Sequence, residues 1–434
     1  MESDGALHLH PDAGADAPRD VTVADAAADV GQSPDSSVAD GSGKLDAPAA
    51  TDASDAANVV DARADTAEAS VTTCADGASI AYTRTSCTGT PPAVPSSLAS
   101  AAKGASFGSI VSLGGLDDSS LPCFPVRVCV ASDAPTLLFS DDPESPSADG
   151  VLYADSLVTG NYRAYVYHTN AGTGLRKFPV VLLNQGTSTV HATVTASGIA
   201  GPSQDYIDVG KQALVRWLES QGTTTTVAIP AGQRVLLSAD LDAAHASTND
   251  LAHAIIDFSL DGPVKMSVVS VVSTEDATVV TSGLALLADD GVHARGSFPG
   301  AALEIESIGA IDGAGARHLR LGGNVTDATL VGHDYVDGTS VTLDGNYGVS
   351  YAFTLAFSSS APSAVLLSPQ GGDWGGAALA ASTSSVLPAS QDALGTQTDA
   401  IAIGALAGGA SFSFTLLSAG GSNLPVDLVT APTQ

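Results

Sequence analysis

The sequence predicts a mainly β protein: two β-sandwich-like domains with one crossover helix, preceded by a small disulfide-stapled module and a disordered tail. Three observations carry this reading. Short runs alternate apolar and polar residues with period two, and Gly-rich turns separate them. Only residues 198–218 switch clearly to helical spacing, with Ile207, Leu214, Trp217 and Leu218 forming one stripe. Four cysteines, Cys74, Cys87, Cys123 and Cys129, cluster in one early segment.

The first 72 residues are dominated by Ala, Asp, Ser and Gly, with 15 acidic and three basic residues. Too little apolar surface exists there to offset ordering entropy, so an acidic, self-repelling tether is expected. His8 and His10 lie in it. Such a pair lacks the supporting hydrogen bonds that fix a metal site. Residues 73–148 form the cysteine-bearing module, with strands expected near 81–85, 109–113 and 124–131 and a short helix near 94–103. Cys123 and Cys129 are six residues apart on an extended run, about 20 Å when fully stretched. That is too far for a mutual disulfide, so each pairs with Cys74 or Cys87 unless the chain folds back at Pro125.

Residues 149–275 read as one β-sandwich-like domain. In residues 162–168, Tyr162, Ala164, Val166 and His168 share one face, and Arg163, Tyr165 and Tyr167 the other. The turn-rich 170–174 stretch predicts a hairpin between 162–168 and 178–184. Gly201-Pro202-Ser203 precedes the helix, with Ser203 as its N-cap. Residues 276–434 form the second β-rich domain, whose longest strand, 347–357, places Tyr351, Phe353, Leu355 and Phe357 on one face.

Composition narrows function. Lys plus Arg total 16 against 47 Asp plus Glu, a formal charge of −31. That charge repels nucleic acid and anionic lipid. No run approaches 18 apolar residues, so no transmembrane segment is expected. Clustered, even-numbered cysteines point to an oxidising, extracytoplasmic location, cell surface or periplasm. No leader is visible in this chain, so one is expected to lie upstream of Met1 or to have been removed.

Several motifs carry a resemblance: Gly201-Pro202-Ser203, Asp205-Tyr206, Val209-Gly210-Lys211, Arg295-Gly296-Ser297-Phe298-Pro299-Gly300, Arg320-Leu321-Gly322-Gly323-Asn324-Val325, Gly345-Asn346-Tyr347-Gly348-Val349 and Gly421-Ser422-Asn423-Leu424-Pro425-Val426. Over about residues 137–430 the chain resembles exported bacterial β-rich proteins labelled copper amine oxidase-like, a stalk-associated family without an assigned activity. Oxidase chemistry is not expected. A copper amine oxidase builds its quinone from the Tyr of Thr-x-x-Asn-Tyr-Asp/Glu. Here Thr342-Leu343-Asp344-Gly345-Asn346-Tyr347-Gly348 has one residue too many and ends in Gly. Residues 73–434 also contain no His-x-His copper pair.

Other constellations are weak. Gly104-Ala105-Ser106-Phe107-Gly108 matches a nucleophile elbow, but its order is helix then strand, the reverse of what the elbow needs. His245 and His253, near Asp250 and Asp257, are eight apart, which suits neither a helical nor a strand metal pair. His333-Asp334-Tyr335 is a lone dyad. Asp373 and Trp374, in a Gly-rich loop, with Tyr335 elsewhere, are the candidate ligand-binding residues, Trp374 as a sugar-stacking platform. No catalytic residue, metal ligand or cofactor is assigned. The expected function is a non-enzymatic exported structural or adhesion-type protein. A module binding carbohydrate or another envelope polymer is the alternative, and a metal-assisted hydrolase or oxidase is disfavoured. Envelope polysaccharide or another surface protein is the expected partner.

Overall fold

The computed structural model describes Cys74 and residues 77–323, 326–358 and 362–434. The expected tether, His8 and His10, and Asn324 and Val325 of the resemblance lie outside these residues.

In chain order, β1 (Ser79–Arg84), α1 (Ser96–Gly104), β2 (Ile110–Ser112), β3 (Val126–Val130) and β4 (Thr136–Ser140) come first. Then follow β5 (Gly150–Leu157), β6 (Gly160–Thr169), the two-residue β7 (Arg176–Lys177), β8 (Val180–Leu183) and β9 (Val190–Ser203). After α2 (Tyr206–Glu219) come β10 (Thr225–Ile229), β11 (Arg234–Leu236), α3 (Ala239–Asp242), β12 (Leu251–Leu260), β13 (Val264–Val272) and α4 (Ala277–Val280). The remaining strands are β14 (Arg295–Phe298), β15 (Ala302–Ser307), β16 (Arg317–Leu321), β17 (Leu330–Asp334), β18 (Thr339–Leu343) and β19 (Ser350–Ala356). Last come β20 (Ser363–Pro369), β21 (Gly376–Ala380), β22 (Thr383–Leu387), β23 (Asp399–Leu406), β24 (Ser411–Ser418) and β25 (Val426–Pro432).

These strands make four sheets. An eight-stranded sheet, β10-β9-β12-β6-β4-β14-β17-β18, faces a five-stranded sheet, β11-β8-β13-β5 with β7 also paired to β13. Tyr162, Ala164, Val166, Ile256, Phe258, Leu182, Met266 and Val268 fill the space between them. A seven-stranded sheet, β1-β3-β15-β19-β24-β21-β22, faces a second five-stranded sheet, β16-β25-β20-β23-β2. Tyr351, Phe353, Leu355, Leu367, Ile401 and Leu428 lie in that core, which is continuous with the other face of the eight-stranded sheet. The two faces read from β6 are therefore both buried: even-numbered residues toward one partner sheet, Tyr165 and Tyr167 toward α2 and the seven-stranded sheet.

Strands from each expected segment are shared among sheets. From 73–148, β1 and β3 join the seven-stranded sheet, β2 the second five-stranded sheet and β4 the eight-stranded one. From 276–434, β14, β17 and β18 complete the eight-stranded sheet. The disulfides are Cys74–Cys129 and Cys87–Cys123, with Cα separations of 6.0 and 5.3 Å. They staple the chain on both sides of β1 to β3 and its approach.

Three local expectations change. The 162–168/178–184 hairpin does not form: β6 pairs with β12 and, in parallel, with β4, while β8 pairs with β13. The reason lies at Asn170. Its Nδ2 donates to Gly174 O (2.7 Å) and Ala246 O (2.9 Å), closing a loop that sends the chain into the facing sheet. The helix does not cross over. The strands it joins are antiparallel neighbours, Thr225 opposite Val194, so α2 returns over β9. Its N-cap is Asp205, whose carboxylate accepts from Asp208 N (3.2 Å), because β9 runs on to Ser203.

Helix α2 sits between sheets. Its buried face includes Val209, Ala213, Leu214, Trp217 and Leu218. Lys211 Nζ donates to the carbonyls of Pro388, Gln391 and Asp392 at 2.9, 2.7 and 3.0 Å, tying it to the loop after β22. On the other side α2 lies directly on β9. A Cβ at Gly198 would stand 1.9 Å from Ala213 O and 2.6 Å from Trp217 N. Both obstacles are backbone, so the helix itself must shift. Gly198→Ala is therefore expected to destabilise the protein by about 3 kcal/mol, the upper range of overpacking costs. Urea unfolding of the full chain measures this; an unchanged midpoint contradicts such contact.

Candidate functional site

The structure separates the residues expected to bind ligand. Trp374 is 0% exposed and its Nε1 donates to Ser418 Oγ at 3.1 Å. It offers no ring face to a sugar, which corrects the stacking-platform expectation: an indole beside β21 stabilises more by burial than it could at the surface. Asp373 is exposed, and its carbonyl accepts from Asn423 N at 2.7 Å. Tyr335 is 59% exposed, edge-on to His333 at 4.6 Å, in the turn between β17 and β18 of another sheet. Asp334, beside it, is held in a buried ion pair with Arg295 (3.0 Å).

Two buried histidines, His253 and His168, are structural. His253 lies buried on β12, its Nδ1 against Val166 O at 2.9 Å and its ring 4.5 Å from Tyr165. Burial lowers it to about 4. His168 is sealed between Ser140 Oγ and Pro143 O, both 2.9 Å away, and burial lowers it to about 3. His245 is exposed. Among the described residues, no group of three or more His, Cys, Asp or Glu is placed to hold a metal. Ser106 lies between α1 and β2, the helix-then-strand order that the elbow excludes.

A different constellation is assembled. A pocket of about 350 Å³ is lined by Phe139, Asp141, Glu144, Tyr165, Tyr167, Tyr206, His293, Tyr347, Gly420 and Gly421. Each wall has a local cause. Alternation on β6 turns Tyr165 and Tyr167 the same way, and Phe139 at the end of β4 stacks on Tyr165 with centroids 4.9 Å apart. Tyr206 opens α2, its hydroxyl donating to Asn249 O at 2.9 Å. Tyr347, in the turn before β19, donates to Ser422 O. Gly420 leaves the space: a Cβ there would meet the Tyr167 ring at 2.4 Å and the Tyr165 hydroxyl at 2.9 Å. Asp205-Tyr206, Asn346-Tyr347-Gly348 and Gly421-Ser422, all carriers of the resemblance, thus converge at one place.

The electrostatics are uneven. His293 Nε2 lies 2.7 Å from Glu144 Oε2 and its Nδ1 2.8 Å from Asp290 Oδ2. Burial alone would raise Asp290. Hydrogen bonds from the His293 and Glu144 backbone N–H groups and the His293 ring instead hold it well below the carboxylate range. Asp141 has no such help. Its Oδ1 is shut off from solvent without a hydrogen-bond partner, and so is the Tyr165 hydroxyl. Burial first, then the charges of Glu144, Asp290 and Asp142, push Asp141 well above its ordinary value. Buried polar groups left unpaired are rare and mark strain or an unfilled site.

A larger cleft of about 590 Å³ is lined by Asn161, Arg163, Trp217, Gln221, Asp257 and Ser259, among others. Its buried ion pair is already satisfied. Arg163 binds Asp257 through two bonds of 2.7 and 2.9 Å. Trp217 Nε1 lacks a partner there, and the one other carboxylate of the lining, Asp133, is exposed rather than buried. We therefore take the tyrosine–carboxylate pocket as the site. Sequence reasoning missed Asp141, Glu144, Tyr206 and His293 because they are scattered through the chain. The acidic turn Asp141-Asp142-Pro143-Glu144 was the available signal.

No known protein-family model and no curated protein matches the chain. Among solved structures, a nodavirus of Penaeus vannamei is 12% identical, covering 60% of this chain and 82% of that one, with a TM-score of 0.14. A conserved protein of unknown function from Pseudomonas aeruginosa is 9% identical, covering 71% and 98%, with a TM-score of 0.13. An oxalate decarboxylase of Bacillus subtilis is 8% identical, covering 71% and 77%, with a TM-score of 0.12. At such scores none carries an argument about this chain.

Asp141 makes a stability prediction. An acid raised in the folded state costs nothing below about pH 4, where folded and unfolded chains both hold the proton. Its cost grows as pH rises toward the folded value. Asp141→Asn is expected to be more stable than the parent at pH 7, by on the order of 1–2 kcal/mol. The two should converge near pH 4. Thermal melts across that range test this; a variant less stable at pH 7 rules out an uncompensated carboxyl.

Proposed function

We propose that the chain is an exported, non-enzymatic binding protein of the cell surface or periplasm, structural or adhesion-type in role. Its recognition site is the tyrosine–carboxylate pocket. The observation that carries this is the pair of unpartnered polar groups, on Asp141 and Tyr165, inside a pocket assembled from widely separated stretches. Two disulfides support an oxidising compartment. The acidic first 72 residues suit a tether, and the resemblance to exported bacterial proteins points the same way. The buried histidines and the doubly paired His293 supply no free base, which favours binding over catalysis. At about 350 Å³ the pocket accommodates a single terminal group of an envelope polysaccharide or surface protein, not a run of polymer.

Co-sedimentation of the full-length protein with the producing cell's envelope and with insoluble polysaccharides tests the reading. Saturable binding is expected, insensitive to chelator and weakened at least tenfold by Tyr206→Ala combined with Glu144→Gln. No saturable binding, or equal binding by a folded double variant, would overturn it.

A further inference from the structure

The chemistry of the pocket also specifies its ligand, an inference resting on the binding reading above. Three carboxylates, Asp141, Glu144 and Asp290, gather at or behind its wall. They face one ring partner, His293, whose two nitrogens Glu144 and Asp290 already occupy. No Lys or Arg lines it. The cation nearest in sequence to this cluster, Arg295, is spent on Asp142, Asp334 and Asp337 at 3.5, 3.0 and 2.7 Å. Asp141 Oδ1 is thus a buried acceptor with no donor. The remaining lining is four tyrosine rings and Phe139, surfaces whose π faces attract positive charge. An anion would meet uncompensated carboxylates, and a neutral sugar would leave Asp141 without a countercharge.

We propose that the pocket binds an alkylammonium group, its positive nitrogen countering Asp141 and its carbon shell resting on the tyrosine rings. The group can belong to a free small cation or be displayed on an envelope component. Tyr165 adds to the fit: the residue is 1% exposed, and its hydroxyl, beside the Gly420 N–H in the pocket wall, can turn its proton away and present a remaining lone pair. Gly420 and Gly421 keep the wall beside Tyr165 and Tyr167 free of side chains.

Binding should release a proton. Asp141 is held toward its neutral form by burial and neighbouring negative charge, and an incoming cation reverses that balance. The other titratable groups facing the site are Glu144 on the same loop, Tyr165 and Tyr167 on β6, Tyr206 on α2, Tyr347 before β19 and His293 with Asp290 before β14. His253 on β12 packs behind Tyr165 and Tyr167. Burial raises the four tyrosines and lowers His253 to about 4, so these groups keep their protons, or stay neutral, near pH 7.

The test is titration calorimetry of the full-length protein with choline and tetramethylammonium chlorides. The neutral isostere 3,3-dimethyl-1-butanol is the control. Expected is binding of both cations, at least tenfold weaker or absent binding of the alcohol, and a heat that varies with the buffer's ionisation enthalpy. Asp141→Asn should weaken cation binding at least tenfold and abolish the buffer dependence. The milder Tyr165→Phe should weaken it severalfold. Equal binding of the alcohol, no binding of either cation, or unchanged affinity in a folded Asp141→Asn variant would overturn the proposal. Envelope binding that free ammonium does not compete away would refute the ligand class while leaving the binding reading intact. Cation binding without envelope binding would do the reverse.

Discussion

One buried arginine joins the parts of this protein. Arg163, on β6, donates to both carboxylate oxygens of Asp257 on the neighbouring β12. Its remaining terminal nitrogen reaches out of that sheet to Ala301 O (3.1 Å), Gly348 O (2.8 Å) and Ser350 Oγ (3.3 Å), at the starts of β15 and β19. The guanidinium also lies 4.5 Å over the Trp217 ring of α2. A single planar cation therefore bonds the eight-stranded sheet, the helix and the seven-stranded sheet. Lysine, with a compact point charge, could not make this set of contacts. Breaking such a pair from one side leaves a buried charge, which makes the contact costly to lose whatever its net contribution.

The pocket follows from that junction. Tyr347 lies one residue before Gly348, whose carbonyl Arg163 holds, so the turn carrying it is fixed against β6. Tyr165 and Tyr167 are Arg163's neighbours on the same strand face. Tyr206 starts the helix that Trp217 pins at its other end. Where two sheets meet around an arginine, their turns and strand ends converge, and the tyrosines are brought together by that geometry. The same charge economy leaves Asp141 alone: of the adjacent pair, Asp142 takes a share of Arg295 and Asp141 does not.

Much of the architecture was legible because its signals are local. The β6 alternation separated Tyr162, Ala164 and Val166 from Arg163, Tyr165 and Tyr167, and each set went to its own core. The exclusion of a Cys123–Cys129 bond by chain length left the two pairings from which the fold selects one. Partner choice was not legible. β6 and the segment after it look like a hairpin, but Asn170's bonds to Gly174 and to the distant Ala246 redirect the chain, and Ala246 is 76 residues away. Trp374 misled for a similar reason. A Gly-rich loop reads as exposed, whereas its bridge to Leu394 folds it inward. The site was least legible, since Asp141, Tyr206, His293 and Tyr347 meet only through sheet packing.

Native-state hydrogen exchange of Arg163→Lys against the parent tests the central role of this contact most directly. The amides of Asn346, Val349 and Ser350, in the turn Arg163 grips, should exchange at least tenfold faster, as should the last turn of α2 around Trp217. The amides pairing β8 with β13, on the far side of the eight-stranded sheet, should keep their protection. Unchanged exchange at Val349 and Ser350, or an equal rise everywhere, would show that the sheets are held together by something other than Arg163.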